Sequence, residues 1–103
     1  MREKPKDIPE AVRACLWFSN VEVLDWEGNR NQIIAQILNR GTWEAVRWAC
    51  EFYGIQAIEK AVRQPQRGVW FPQTLSFWQK FFGFSLEPSL IEKALFKLTP
   101  AGR

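Results

Sequence analysis

The chain has 103 residues and a formal net charge of +3, contains no histidine, and is 47% hydrophobic and 15% aromatic. This length suits one domain with one hydrophobic core. The missing histidine excludes Ser-His-Asp triads and histidine-containing zinc sites, and no glycine-rich phosphate loop is present. The charge is smaller than that of most dedicated nucleic-acid binders. We therefore expect a single non-enzymatic domain with no metal and no cofactor.

The cysteines and the chain ends indicate the cellular setting. Cys15 and Cys50 lie among apolar residues and form no Cys-x-x-Cys pair, which is typical of free thiols in a reducing compartment. The N-terminal residues are charged and lack an apolar signal region, and no stretch approaches the ~20 apolar residues that cross a bilayer. We expect a cytoplasmic protein with a flexible N-terminus (residues 1–7), one helical domain (8–99) and a short tail (100–103).

The hydrophobic periodicity predicts an all-α fold, a compact bundle of five or six short helices, and shows no β-alternation. A connector over residues 20–27 should be held to the core by Leu24 and Trp26. In chain order, the expected helices cover residues 10–16, 31–39, 43–53, 55–64, 72–82 and a segment that runs from Pro88 toward Pro100.

Helix-terminating residues stand between these segments. Gly41 is expected to end the second helix in the left-handed conformation, and Thr42 is expected to cap the third. Gly54 should separate the third helix from the fourth, and Gly83 should end the fifth.

The third helix, residues 43–53, is apolar over more than half of its circumference, which predicts burial by several neighbouring helices. On its narrow polar strip, Arg47 is expected to pair with Glu44 and Glu51. The six Trp and eight Phe of the chain leave two interpretations open. Either rings replace aliphatic residues in the core, or surplus rings form a surface that binds a partner.

The loop from Pro65 to Phe71 places Arg67 beside Trp70 and Phe71, in a stretch of the chain that contains several cations and no acid. Three explanations remain open for this pattern. The rings pack under the loop into the core, they form a protein interface, where Trp and Arg dominate the binding energy, or they stack on the bases of a single strand.

The helix Ile55–Gln64 offers an alternative function, because Gln56, Lys60 and Arg63 share one outward face and could contact the edges of DNA bases. A glycine turn before a second helix is the outline of a helix-turn-helix. That motif, however, buries apolar residues six and nine positions after the turn glycine, where this chain has Lys60 and Arg63. A plain helical hairpin explains the same residues.

A set of short motifs occurs along the chain in a fixed order. They are Pro9–Arg13, Leu16-Trp17, Leu24-Asp25, Ile33-Ile34, Ile37-Leu38, Gly41, Val46–Trp48, Tyr53-Gly54 and Thr74–Trp78. With them, residues 7–83 resemble a family of small, largely uncharacterised bacterial and archaeal helical domains, whose genes often lie beside nucleotidyltransferase-like toxins of the abortive-infection type. The chain departs from the family at Phe18-Ser19, where an Asp is expected, and residues 84–103 have no counterpart.

The resemblance implies an antitoxin-like or accessory protein that masks its cognate enzyme or binds the promoter of its operon. It supplies no catalytic residues. We predict a contact surface made of Arg63, Arg67, Trp70 and Phe71, in which the rings supply buried area and the arginines complement acidic groups around the metal site of the toxin. A DNA-binding autoregulator and a homodimer joined through surplus rings remain as alternatives.

Overall fold

The computed structural model describes residues 8–16 and 24–96, and within them the chain forms six helices and no strand. The all-α prediction is confirmed. The expected flexible N-terminus and the tail lie outside the described residues. The helices are α1 (Glu10–Cys15), α2 (Arg30–Arg40), α3 (Trp43–Tyr53), α4 (Ile55–Arg63), α5 (Pro72–Phe82) and α6 (Pro88–Ala94).

The centre of the fold consists of α2, α3 and α4, which pack on one another. Helix α1 covers α2 and α3, and α5 packs on α4. Ile33, Ile34 and Ile37 of α2 are fully buried, as are Ala49 of α3 and Ile58 of α4. Each isoleucine buried in this way contributes about 1.5–3 kcal/mol of transfer free energy, so the amphipathic stripe predicted for α2 is the main support of the core.

The predicted role of Trp26 is confirmed by its contacts. The hydroxyl of Tyr53 donates a hydrogen bond to the Trp26 carbonyl at 2.7 Å. The indole of Trp26 lies edge-on to Trp48 and Phe52, with ring centroids 5.9 and 6.0 Å apart. These contacts fix the segment before α2 to one side of α3, and Leu24 packs beside them.

Gly41 departs from the prediction. Its φ of −86° and ψ of 160° are extended rather than left-handed. A Cβ atom at this position would lie 2.6 Å from the Ile37 carbonyl oxygen, 2.9 Å from Cys15 Sγ and 3.0 Å from Ala45 Cβ. Glycine is therefore required because α1, α2 and α3 approach one another closely here, a contact that no local sequence signal reports.

The other terminal signals are confirmed. The backbone N–H of Ala45 donates to Thr42 Oγ1 at 3.4 Å, which makes Thr42 the N-cap of α3. Gly83 ends α5 in the left-handed conformation, and its N–H donates to the carbonyls of Gln79 and Lys80.

Helix α6 is shorter than predicted, because it ends at Ala94 and Leu95 is extended. Tertiary hydrogen bonds replace the next helical turn. The backbone N–H of Trp70 donates to the Ala94 carbonyl at 2.9 Å, and the N–H of Phe96 donates to the Trp70 carbonyl at 2.8 Å. Residues 67–71 and 93–96 therefore run side by side, and we call this pair of segments the strap.

Candidate functional site

The predicted contact residue Trp70 is fully buried, with its backbone held inside the strap. Its ring belongs to the core, so the structure removes Trp70 from the predicted contact surface. Phe71 is half-buried, and Arg67 and Arg63 are exposed. The sequence offered no way to distinguish Trp70 from its neighbour Phe71, because burial in a loop is decided by distant residues.

Phe71 lies in a cluster that sequence reasoning missed. Its N–H donates to Asn39 Oδ1 at 2.8 Å, and its ring meets the edge of Phe96, with the centroids 5.9 Å apart. The guanidinium carbon of Arg40 lies 5.1 Å from the centroid of Phe71 and 6.0 Å from that of Phe96. A cation over two rings is held by cation–π attraction, which fixes the direction of the exposed Arg40 side chain.

The other end of the strap also carries cations. The N–H of Gly68 donates to the Lys93 carbonyl at 3.0 Å, so that Lys93 lies across from the loop that holds Arg67. Both of these side chains are exposed. The loop spans about 13 Å from residue 67 to residue 71 if it is extended. We define the strap surface as Arg40, Arg67, Phe71, Lys93 and Phe96.

Arg63 has separate partners. Its Nε donates to Glu59 Oε2 at 2.8 Å, and its guanidinium carbon lies 4.1 Å from the ring centroid of Phe84. Among the described residues, no hydrogen bond or ring contact joins Arg63 to the strap surface. The structure therefore does not bring the four predicted contact residues together.

The residues of the alternative DNA-binding site do share a face. Gln56, Lys60 and Arg63 are all exposed on α4, and their spacing of four and three residues places them on adjacent turns. A helix-turn-helix would bury apolar residues at the positions of Lys60 and Arg63. In this structure both side chains are exposed.

The described surface has an aromatic groove between α3 and α5. It consists of two adjoining cavities of about 260 Å³ each, which share Trp43, Val46 and Trp78. One cavity extends to the first residues of both helices and the other to their last turns, so α3 and α5 run in the same direction along the groove. The remaining lining residues are Leu38, Gly41, Arg47, Cys50, Ile55, Gln73, Thr74, Phe77 and Phe81.

Large apolar side chains of the groove face solvent. The exposed fractions are 67% for Trp43, 49% for Phe77, 58% for Phe81 and 47% for Ile55. On α5 the ring of the buried Trp78 lies between the two phenylalanines, with both centroid distances 5.2 Å. Packed rings lose little side-chain freedom when another surface covers them. The groove is therefore preorganised for contact. The predicted burial of α3 by several helices is confirmed, since α1, α2 and α4 pack on it, but its Trp43 side remains open.

The strip of α3 beside the groove carries both signs of charge, because the exposed Glu44 and Glu51 lie one helical turn from Arg47. Arg47 lines the groove, and no ion pair joins it to Glu44 or Glu51, although all three residues are described. The predicted pairing along α3 is therefore wrong. Lys80 lies on the α5 side, beside Phe77. Arg47 points to the groove because the aromatic side of α3 is open there.

The surroundings of both thiols make them harder to deprotonate. Burial raises the pKa of Cys15, whose Sγ donates to the Ala11 carbonyl at 3.3 Å. Burial, and then the neighbouring charge of Glu51, raise the pKa of Cys50 in the groove. A thiol in this state is a weak nucleophile and a weak metal ligand.

The described residues show neither a metal centre nor a membrane span. In residues 8–16 and 24–96, no three side chains of His, Cys, Asp or Glu are grouped so that they could hold a metal ion. None of the helices in this part of the chain combines the length and the apolar character that crossing a bilayer requires.

Comparison with known proteins finds a match for only part of the chain. No curated protein and no solved structure matches it. A family model matches residues 12–62, just under half of the chain, which include most of α1 and nearly all of α2 to α4. The strap and α5 lie beyond the match, which carries no information on neighbouring genes or toxins. Over residues 12–62, the chain is thus similar to a family of unknown function (DUF6922).

Proposed function

We propose that this domain acts by binding another protein, in an antitoxin-like or accessory role toward a nucleotidyltransferase-like toxin. The strap surface carries the proposal, because it combines two rings with the exposed cations Arg40, Arg67 and Lys93. The choice of toxin rests on the sequence resemblance described above.

The chemistry of the strap surface fits an acidic partner. Arginine and aromatic residues supply most hot spots of protein interfaces, and positive charge at the rim directs encounter with carboxylates. Arg40 is already held over Phe71 and Phe96, so that little ordering of its side chain opposes binding. Carboxylates around the metal site of a nucleotidyltransferase are groups of this kind.

The test uses the toxin-like enzyme encoded beside this chain, with affinity measured by calorimetry. We expect Arg40→Glu and Arg67→Glu to weaken binding at least about 30-fold each, the loss of a typical hot spot. The matched control is Lys60→Glu on α4, an exposed cation outside both the strap surface and the groove, which should leave the affinity unchanged. Far-UV circular dichroism verifies the fold of each variant. If both strap variants bind with full affinity, the strap surface is not the binding site. If the neighbouring gene encodes another kind of protein, the proposed toxin partner is excluded.

A second candidate is a DNA-binding autoregulator, favoured by the shared exposed face of Gln56, Lys60 and Arg63 on α4. A mobility-shift assay on the DNA upstream of the gene, at two salt concentrations, tests this candidate. Each phosphate contact adds almost one unit to the log–log salt slope. A steep slope that Lys60→Ala reduces supports DNA binding, whereas absent or salt-independent binding excludes it.

A further inference from the structure

We propose that the aromatic groove between α3 and α5 is the interface through which two copies of this chain form a symmetric dimer. The groove and the strap surface share no residue. The dimer therefore stands independently of the proposed binding of a toxin.

The exposed apolar area of the groove matches the needs of a dimer. At their observed exposures, Trp43, Ile55, Phe77 and Phe81 present roughly 450 Å² of side-chain surface, since a full aromatic side chain has about 150–250 Å². A stable interface buries about 800 Å² per partner. These four side chains thus supply more than half of one copy's share, and the groove walls between them add to it.

The shape of the groove fits a surface like itself. Exposed rings stand beside cavities of about 260 Å³ on the same face, so each copy offers both the protruding parts and the spaces that receive them. An isologous interface requires such self-complementarity, because residue i of one copy contacts residue j of the other, and residue j of the first contacts residue i of the second.

The charges in and beside the groove favour a second copy over a partner of one sign. Arg47 on α3 lies between Glu44 and Glu51 without pairing with either, and Lys80 lies on the α5 side. A strongly basic partner would meet Arg47 in the groove and Lys80 beside it. A strongly acidic partner would meet Glu44 and Glu51, which are exposed on α3 one helical turn from Arg47. A second copy carries the same balanced set, so cations of one chain can lie against carboxylates of the other.

The test is the oligomeric state of the full chain, measured by sedimentation velocity up to about 100 µM. We expect the wild type to have twice its chain mass of 12.1 kDa. Phe81→Asp should weaken the dimer at least about 30-fold, because a carboxylate would be buried among rings. The matched control is Leu90→Asp on α6, which replaces another exposed apolar residue outside the groove and should remain dimeric. Trp43→Asp is the second disrupting variant if Phe81→Asp fails to fold.

The cysteine in the groove locates the interface. Cys50 is half-buried in the groove, whereas Cys15 is buried in the core. In the wild type, alkylation of Cys50 should become slower as the protein concentration rises, and in Phe81→Asp it should not. Cys15 should react slowly at every concentration.

Two results overturn the dimer. One is a monomeric wild type at the highest concentration, and the other is a dimer that survives both groove variants with Cys50 unprotected. Neither result affects the strap surface, because toxin binding is read from Arg40→Glu and Arg67→Glu.

Discussion

Replacing Trp70 by alanine tests whether its ring is a structural element or a contact residue. The side chain is fully buried, and the strap holds its backbone through hydrogen bonds to the Ala94 carbonyl and from the Phe96 N–H. Removing about 200 Å² of buried ring surface corresponds to about 5 kcal/mol at 25 cal/mol per Å². Measured Trp→Ala substitutions in protein cores cost about 3–5 kcal/mol. We expect a loss of this size, a large part of the ~5–15 kcal/mol that stabilises a typical domain.

The measurement is urea unfolding followed by far-UV circular dichroism, with the free energy of unfolding compared between Trp70→Ala and the wild type. A loss below about 1 kcal/mol, together with a selective loss of partner binding, would refute the structural assignment of Trp70. It would restore the ring to the binding surface that the sequence suggested.

Trp70→Phe is the matched variant. The indole Nε1 is buried and has no hydrogen-bond partner among the described residues, and a buried unpaired donor costs about 1–3 kcal/mol. Phenylalanine removes this donor and keeps much of the ring volume, so we expect a stability within about 1.5 kcal/mol of the wild type. A loss equal to that of Trp70→Ala would contradict the unpaired state of the indole N–H.

Four further predictions concern stability and pH, all measured by urea unfolding. Gly41→Ala should destabilise by about 1–3 kcal/mol through steric overlap. At Gly54 a Cβ atom has open space, but the φ of +91° disfavours other residues. Gly54→Ala should therefore lower the free energy of unfolding by about 1–2 kcal/mol through backbone strain. If either glycine variant is as stable as the wild type, the close contacts at Gly41 or the backbone strain at Gly54 are contradicted. Tyr53→Phe should cost about 1–2 kcal/mol, because it leaves the buried Trp26 carbonyl without its donor, and no change would show that another group replaces the hydroxyl. The pKa of the Cys50 thiol is raised in the folded protein. As the pH rises, the unfolded chain therefore loses the thiol proton at a lower pH than the folded chain does. The free energy of unfolding should then fall as the pH rises above the ordinary thiol value of 9.0; Cys50→Ala should reduce this fall, and an unchanged slope would refute the shift.

Local sequence signals predicted most of the fold. The apolar stripe of α2, the N-cap at Thr42, the prolines that begin α5 and α6, and the left-handed Gly83 all act within one or two helical turns. Interactions of this range can be recognised from residue types and spacing alone. The all-α architecture was therefore predictable, as was the attachment of Trp26 to the core.

The candidate site was predicted only in part. The sequence identified Arg67 and Phe71, but not Arg40 at the end of α2, nor Lys93 and Phe96 in the second segment of the strap. It also predicted an ion pair along α3 where the structure has an arginine beside an open groove. Spacing along one helix shows which side chains are neighbours, but it does not show which side of the helix another element covers.

The sequence by itself thus determined where the helices begin and end, except for the last turn of α6, because capping and periodicity are local effects. It also placed the end of α2 at Gly41, although not the extended conformation of that glycine. The tertiary structure alone decided that Trp70 is buried while Trp43, Phe77 and Phe81 are exposed. The hydrophobicity of an indole or phenyl ring does not depend on its position in the chain. The burial of these rings depends on which distant segments pack against them. Here the ring of Trp70 belongs to the core, while the groove between α3 and α5 leaves the others open.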